Sequence, residues 1–170
     1  MTAHAFDPTV LREYDIRGIV GETLATADAT AVGKIFGTLV KRSGGKRVCV
    51  GYDGRVSSPS MEAALVEGLT SVGIDVERVG RGPTPMLYFA TMDSGADGGI
   101  MVTGSHNPPT HNGFKMMLNK KPFFGADIKK LGEMAGRGDL DTGEGSVKDT
   151  PVFDAYITRM LKDYQGARPI

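Results

Sequence analysis

"GGIMVTGSHNPPTHNGFKMMLN", residues 98–119, decides how this chain folds. The apolar run at 98–104 reads as a strand, and "GFKMMLN" at 113–119 reads as the next one. Residues 105–112 between them are too few for a helical crossover, which needs about a dozen residues or more. If the two strands are neighbours, they run antiparallel. The connection carries a second message. Gly104 lets backbone approach closely, while Pro108 and Pro109 stiffen the chain beyond the serine. The stretch therefore reads as a rigid loop that presents Ser105.

Upstream, the pattern alternates helix and strand. Val32, Ile35, Phe36, Leu39 and Val40 lie on one face of a helix over 28–42, which Ser43-Gly44-Gly45 ends. "RVCVGYD" at 47–53 is a buried strand. Ser58-Pro59 supplies an N-cap and a proline at the first helical position, opening a helix with Met61, Ala64, Leu65, Gly68, Leu69 and Val72 on one stripe. "IDVERVG" at 74–80 alternates as a half-buried strand does. Thr84-Pro85 repeats the cap-plus-proline signal before "MLYFATM". These βαβ spacings favour parallel pairing. The expectation is a three-layer α/β fold whose mixed sheet is mostly parallel, with one antiparallel strand.

Downstream, Ile128, Leu131 and Ala135 sketch a further helix. Residues 137–150 are polar and glycine-bearing and read as a linker between a domain at 1–136 and a last segment at 151–170. In that segment Phe153, Tyr156, Ile157, Met160, Leu161 and Tyr164 form one apolar stripe, which wants a partner surface.

Composition narrows the function. Basic and acidic side chains number 20 each, so the net charge is zero. No electrostatic footprint for nucleic acid or an anionic membrane is present, and any anionic ligand must be met by a few aimed charges. The lone Cys49 permits no intrachain disulfide and fits a reducing compartment. "MTAHAFDPTV" lacks the basic and apolar regions of a signal peptide. The expected location is cytoplasmic.

Three chemistries compete for Ser105. A hydrolytic nucleophile needs a nearby base and a strand-turn-helix elbow, but a proline pair stands where that helix would begin, and adjacent side chains such as His106 generally diverge. A purely structural loop is the bland alternative. The third is a phosphoryl acceptor, since a serine on a stiff loop with cations nearby can carry a phosphoryl group. His106 and His111 invite a zinc reading, but no third soft ligand clusters with them in the sequence. His4 falls in an N-terminus expected to be loose. Asp53 and Arg55 in "YDGR" read as an ion pair and loop brace with a part in positioning the catalytic loop.

"TGSHNPP" at 103–109 and "EYDIRG" at 13–18 together resemble the α-D-phosphohexomutase family. Within it, the likeness is greatest to the bacterial phosphomannomutase/phosphoglucomutase branch. "VGYDGRVSSPSM" and "GPTPMLYFA" extend the resemblance over about residues 6–135. It implies that Ser105 is the phosphoserine that gives a phosphoryl group to a hexose phosphate and takes one back. It implies that a phosphoryl oxygen on Ser105 is also a ligand of Mg²⁺. Arg17, Lys115 and His106 match the family's catalytic and phosphate-binding side chains, with Gly104, Asn107 and Pro108 ordering the loop.

The family's members carry three further domains, with a "DGDGDR"-type magnesium loop, a "GEMSGH"-type sugar loop and a phosphate-binding domain. These 170 residues contain none of them. The resemblance thus implies the catalytic-serine domain of a longer isomerase, with the missing domains and a hexose phosphate as its partners. Residues 151–170 would lead toward the second domain, and this chain alone is expected to be inactive. The competing expectation, from a different class, is a non-catalytic binding domain that keeps the fold.

Overall fold

The computed structural model describes residues 3–164 and 166. Residues 165 and 167–170, the end of the segment expected to lead onward, lie outside the described residues. The elements in order are β1 (Ile16–Ile19), α1 (Thr26–Arg42), β2 (Arg47–Tyr52), α2 (Ser58–Thr70), β3 (Asp75–Arg81), α3 (Thr84–Asp93), β4 (Gly98–Val102), β5 (His111–Leu118), β6 (Lys121–Phe123), α4 (Ala126–Arg137), β7 (Val147–Asp149) and α5 (Phe153–Asp163).

The sheet order is β1-β5-β4-β2-β3-β7, with β6 also on β5. β2 pairs in parallel with β3 and β4, and β3 in parallel with β7. β5 is antiparallel to each of its neighbours, β4, β1 and β6. One strand therefore runs against all the others, as the short 105–112 connection requires.

Two cores flank the sheet. Val48 and Val50 of β2, Ile100 and Val102 of β4, and Phe114 of β5 join α1, α2 and α4 in the larger one. The side chains between them, Cys49 and Met101, face the other way and pack with Met86, Leu87 and Ala90 of α3. This is the period-two alternation of a sheet buried on both faces. Gly33 and Gly68 allow α1 and α2 to touch backbone to backbone: a Cβ at Gly68 would lie 2.2 Å from the Thr30 carbonyl oxygen.

Several expectations need correction. α2 begins at Ser58 itself, with Ser57 at the N-cap position, because the Ser58 hydroxyl is buried and donates to Asp53 instead of accepting from its own helix. Likewise Pro83, in extended conformation, precedes α3, and Thr84 is its first residue. The N-terminus is tied down at His4, whose Nε2 lies 2.8 Å from Asp28 and whose N–H donates to Ala135. Within the segment read as a linker, β7 lines the sheet edge beside β3, and Ser146 is bound through its N–H and hydroxyl to Asp75. β5 turns into β6 through Asn119 and Lys120, both at positive φ. In α5, Tyr156 meets Phe89 of α3 at 5.9 Å, while Phe153, Met160 and Leu161 stay exposed.

Candidate active site

The loops after β2 and β4 both leave the carboxyl edge of the sheet, where parallel α/β folds place ligands. They are stitched together at once: the Asp53 N–H donates to the Val102 carbonyl. Asp53 then organises both loops. Its Oδ2 accepts from the Gly104 N–H at 3.0 Å and the Thr103 hydroxyl at 2.9 Å. Its Oδ1 accepts from the Ser58 hydroxyl at 2.5 Å and the Arg55 N–H at 3.0 Å. Burial pushes the Asp53 carboxyl up, but these four donors outweigh it and hold it below the usual carboxylate value.

Arg55 does the rest of the bracing. Its Nε meets Asp53 at 3.2 Å. Its Nη1 donates to the carbonyls of Pro108 and His111, and its Nη2 to those of Ser105 and Asn107, at 2.6–3.0 Å. One planar guanidinium thus satisfies four carbonyls of the 105–111 loop, a fork that lysine cannot reproduce. Gly104 makes room for it, since a Cβ there would lie 2.0 Å from Arg55 Cζ. Asn107 closes the loop by donating through its N–H and side-chain amide to the Gly104 carbonyl. Asp53, Arg55, Gly104, Asn107 and Pro108 are all brought together.

Ser105 sits exposed at the crest, at φ +51°, a left-handed conformation uncommon for serine. Its N–H donates to the Thr103 hydroxyl at 2.9 Å. In this conformation the His106 ring turns back, and Nδ1 lies 3.3 Å from Ser105 Oγ, contrary to the expected divergence of neighbours. Among the described residues no side chain orients the other nitrogen of His106, so the three-member relay of a hydrolase is not formed.

Arg17 lies beneath the loop rather than on it. It is 1% exposed, with Nη1 on the Thr103 carbonyl and Nη2 on Asp15 at 2.6 Å. Lys115, on β5, reaches the same Asp15 oxygen at 3.2 Å. Sequence reasoning misses Asp15, although strand register could have found it. β1 pairs Arg17 with Gly113 and Ile16 with Phe114, and Asp15, the residue just before the strand, lies near Lys115, the residue just after Phe114. Lys115 also borders a hollow of about 270 Å³ walled by Tyr14, Tyr88 and Phe124. A second hollow, of about 410 Å³, lies beside Arg55, Val56, Asn107 and Pro109.

Among the described residues no three His, Cys, Asp or Glu side chains form a set that could hold a metal ion. The carboxylates nearest the loop are committed, Asp15 to two cations and Asp53 to four donors and Arg55. A magnesium ion does not fit these residues alone, since it needs hard oxygens that are free. Among the described residues no helix is long and apolar enough to cross a membrane.

Comparison with known proteins agrees with this geometry. Residues 8–139 match the family model described as phosphoglucomutase/phosphomannomutase, alpha/beta/alpha domain I. The chain is 38% identical over 162 residues to the phosphomannomutase/phosphoglucomutase of Pseudomonas aeruginosa, covering 95% of this chain and 35% of that one. It is 38% identical over 163 residues to the phosphoglucomutase of Neisseria gonorrhoeae, with the same shares covered. A crystal structure of a phosphoglucomutase/phosphomannomutase family protein from Burkholderia thailandensis superposes with a TM-score of 0.91 at 40% identity, over 97% of this chain and 38% of that one. The chain spans about a third of the length of the relatives it matches.

Proposed function

Because the chain belongs to the phosphoglucomutase/phosphomannomutase family as its domain I, we propose that it is the catalytic-serine part of an enzyme interconverting hexose 1-phosphates and hexose 6-phosphates. The observation that carries this reading is the braced loop that lifts Ser105 into solvent at the carboxyl edge of the sheet, with the Arg17–Asp15–Lys115 cluster beside it.

The chemistry runs in two transfers. Phosphorylated Ser105 meets the free hydroxyl of a hexose monophosphate. The bond from phosphorus to Ser105 Oγ breaks as the sugar oxygen bonds to phosphorus. The hydroxyl proton leaves, and Ser105 Oγ regains a proton, leaving a hexose bisphosphate. The sugar turns, and its other phosphoryl group passes back to Ser105. Lys115 balances charge on the moving phosphoryl group. His106, at hydrogen-bond range of Oγ, handles the serine proton. Arg55 and Asp53 hold the loop still, so that the acceptor oxygen is placed before the reaction starts. Arg17, buried, supports the loop from below. The magnesium of such enzymes would draw its ligands chiefly from outside the described residues, and no step above runs through it. The substrate and the remaining domains are the implied partners, and the cytoplasm is the implied location.

The test uses the complete product of the gene that encodes this chain. It should convert glucose or mannose 1-phosphate to the 6-phosphate, with the phosphopeptide mapping to Ser105. Ser105→Ala should abolish both signals, and the 170-residue chain alone should show no turnover. A phosphopeptide at Ser57, Ser58 or Ser60, or turnover that survives Ser105→Ala, overturns the reading. A complete gene product with no transfer at all favours the non-catalytic binding domain instead.

A further inference from the structure

Resting on the reading of the Ser105 loop as a phosphoryl-transfer site, we propose that Asp15 is a positioning residue: its carboxylate ties the Lys115 ammonium to Arg17 and, through Arg17, to the backbone that carries Ser105. A single oxygen does this. Asp15 Oδ2 accepts from Arg17 Nη2 at 2.6 Å and from Lys115 Nζ at 3.2 Å. The other end of the same guanidinium holds the Thr103 carbonyl. Thr103 in turn accepts the Ser105 N–H on its hydroxyl. A continuous polar chain thus runs from Lys115 to Ser105 with Asp15 at its middle.

Three features give the chain its direction. First, Arg17 is almost wholly buried, and a buried guanidinium needs an anion beside it. Asp15 is that anion, and among the described residues Arg17 has no other acidic partner. Second, the placement follows from strand geometry. Asp15 closes the turn that leads into β1, its carbonyl accepting from the Arg12 N–H, and β1 pairs with β5 from Ile16 and Phe114 onward, which leaves Asp15 next to the end of that ladder and within reach of Lys115. Third, Lys115 is partly exposed on a flexible four-carbon stem and would otherwise sample many rotamers. The carboxylate selects the one that stays beside the loop.

The experiment is Asp15→Asn in this chain, with ¹⁵N-labelled lysine side chains and backbone amides observed by NMR. The Lys115 Nζ resonance is assigned by its loss in Lys115→Arg. In the wild type it should stand apart from the exposed Lys120 and Lys121. In Asp15→Asn it should join them, and the Thr103 and Ser105 amides should shift while those of α2 and β3 stay in place. Asp15→Glu should restore part of the pattern. An unchanged Nζ resonance and unchanged loop amides in the Asn variant overturn the proposal. If that variant does not fold, side-chain relaxation in the wild type decides, and a Lys115 ammonium as mobile as that of Lys121 overturns it equally. In the complete gene product, Asp15→Asn should lower kcat by about a hundredfold, the order expected for a misplaced catalytic group. A kcat within about twofold of wild type overturns the positioning role. If the wild-type complete product transfers no phosphoryl group, the mutase reading falls, and with it the reaction Asp15 would serve, whereas the NMR result on the clamp stands by itself.

Discussion

Arg55→Ala removes the brace from the Ser105 loop, and its cost can be worked from the contacts. The guanidinium donates to four loop carbonyls and to Asp53. The bonds to Pro108 and Ser105 are exposed, so water replaces them at little cost. The bonds to His111 and Asn107 are part-buried. A hydrogen bond from a charged donor contributes about 1.5–3 kcal/mol, so these two amount to roughly 3–6 kcal/mol. The partly exposed pairing with Asp53 adds about 1 kcal/mol at most. A domain of this size should lose on the order of 10 °C in Tm, unless the loop opens locally first, in which case the loss appears as faster amide exchange over 104–111.

Gly104 supplies the control. A Cβ at this position would overlap the guanidinium, so Gly104→Ala should displace Arg55 and cost nearly as much as deleting it. Once Arg55 is alanine, the same Gly104→Ala change should cost little. The double-mutant cycle should therefore show a coupling of at least about 2 kcal/mol. Melting curves and hydrogen exchange on the four proteins measure it. Additive losses, or an Arg55→Ala protein that melts within about 2 °C of wild type with its loop still protected, would refute the brace.

In the complete gene product, Lys115→Ala should cut kcat/KM by about a hundredfold and the solvated Lys121→Ala by less than about twofold; comparable losses would show that Lys115 is not aimed at the site. Asp53 sits below its unfolded value of about 3.9, so its contribution to stability is present above that pH and is lost as pH falls through the folded value. Urea melts should accordingly show wild-type stability declining below about pH 4 and a shallower decline in Asp53→Asn. Ser105→Gly should melt above Ser105→Ala, because glycine relieves a left-handed φ costing roughly 1–2 kcal/mol, less what it adds to unfolded-chain freedom. Equal Tm values for the two variants would mean that the strain is absent in solution.

What the sequence made legible was whatever depends on chain connectivity and local chemistry. The short 105–112 link dictated that β5 runs against β4, and the proline pair marked the loop. Arg55 and Asp53 could be paired because they stand two residues apart in a turn. Contacts set by register were harder to see. Asp15 meets Lys115 only after β1 is recognised as a strand, and its four residues include a charged side chain and a glycine. β7 has three residues, all exposed, with Val147 its single apolar side chain, so it carries no apolar alternation to betray it. The β5–β6 hairpin turns on Asn-Lys instead of the Asn-Gly that usually announces such a turn. Ser58 resembled a cap because serine before proline usually is one; the demand of the part-buried Asp53 carboxylate overrode that local preference.

On the proposed phosphoryl-transfer reading, charge placement around Ser105 accounts for how a chain of zero net charge would favour a phosphoryl group. Three cations, Arg17, Arg55 and Lys115, gather about the loop. Arg55 is met by Asp53, and Arg17 by Asp15. Lys115 shares Asp15 with Arg17, so one positive charge remains in surplus, and it is the most exposed of the three. A phosphoserine brings about −1.5 to −2 at neutral pH. The surplus offsets part of that and leaves about half to one negative charge unbalanced. On that reading the domain would hold the serine still and meet the phosphoryl group halfway. The proposed reading therefore calls on groups beyond these two loops for the balance, and this chain covers about a third of its relatives' length. If the proposed reading holds, full neutralisation by this domain alone would favour the phosphoserine as a resting state, whereas partial neutralisation would leave the group ready to move once a substrate and further cations close over it.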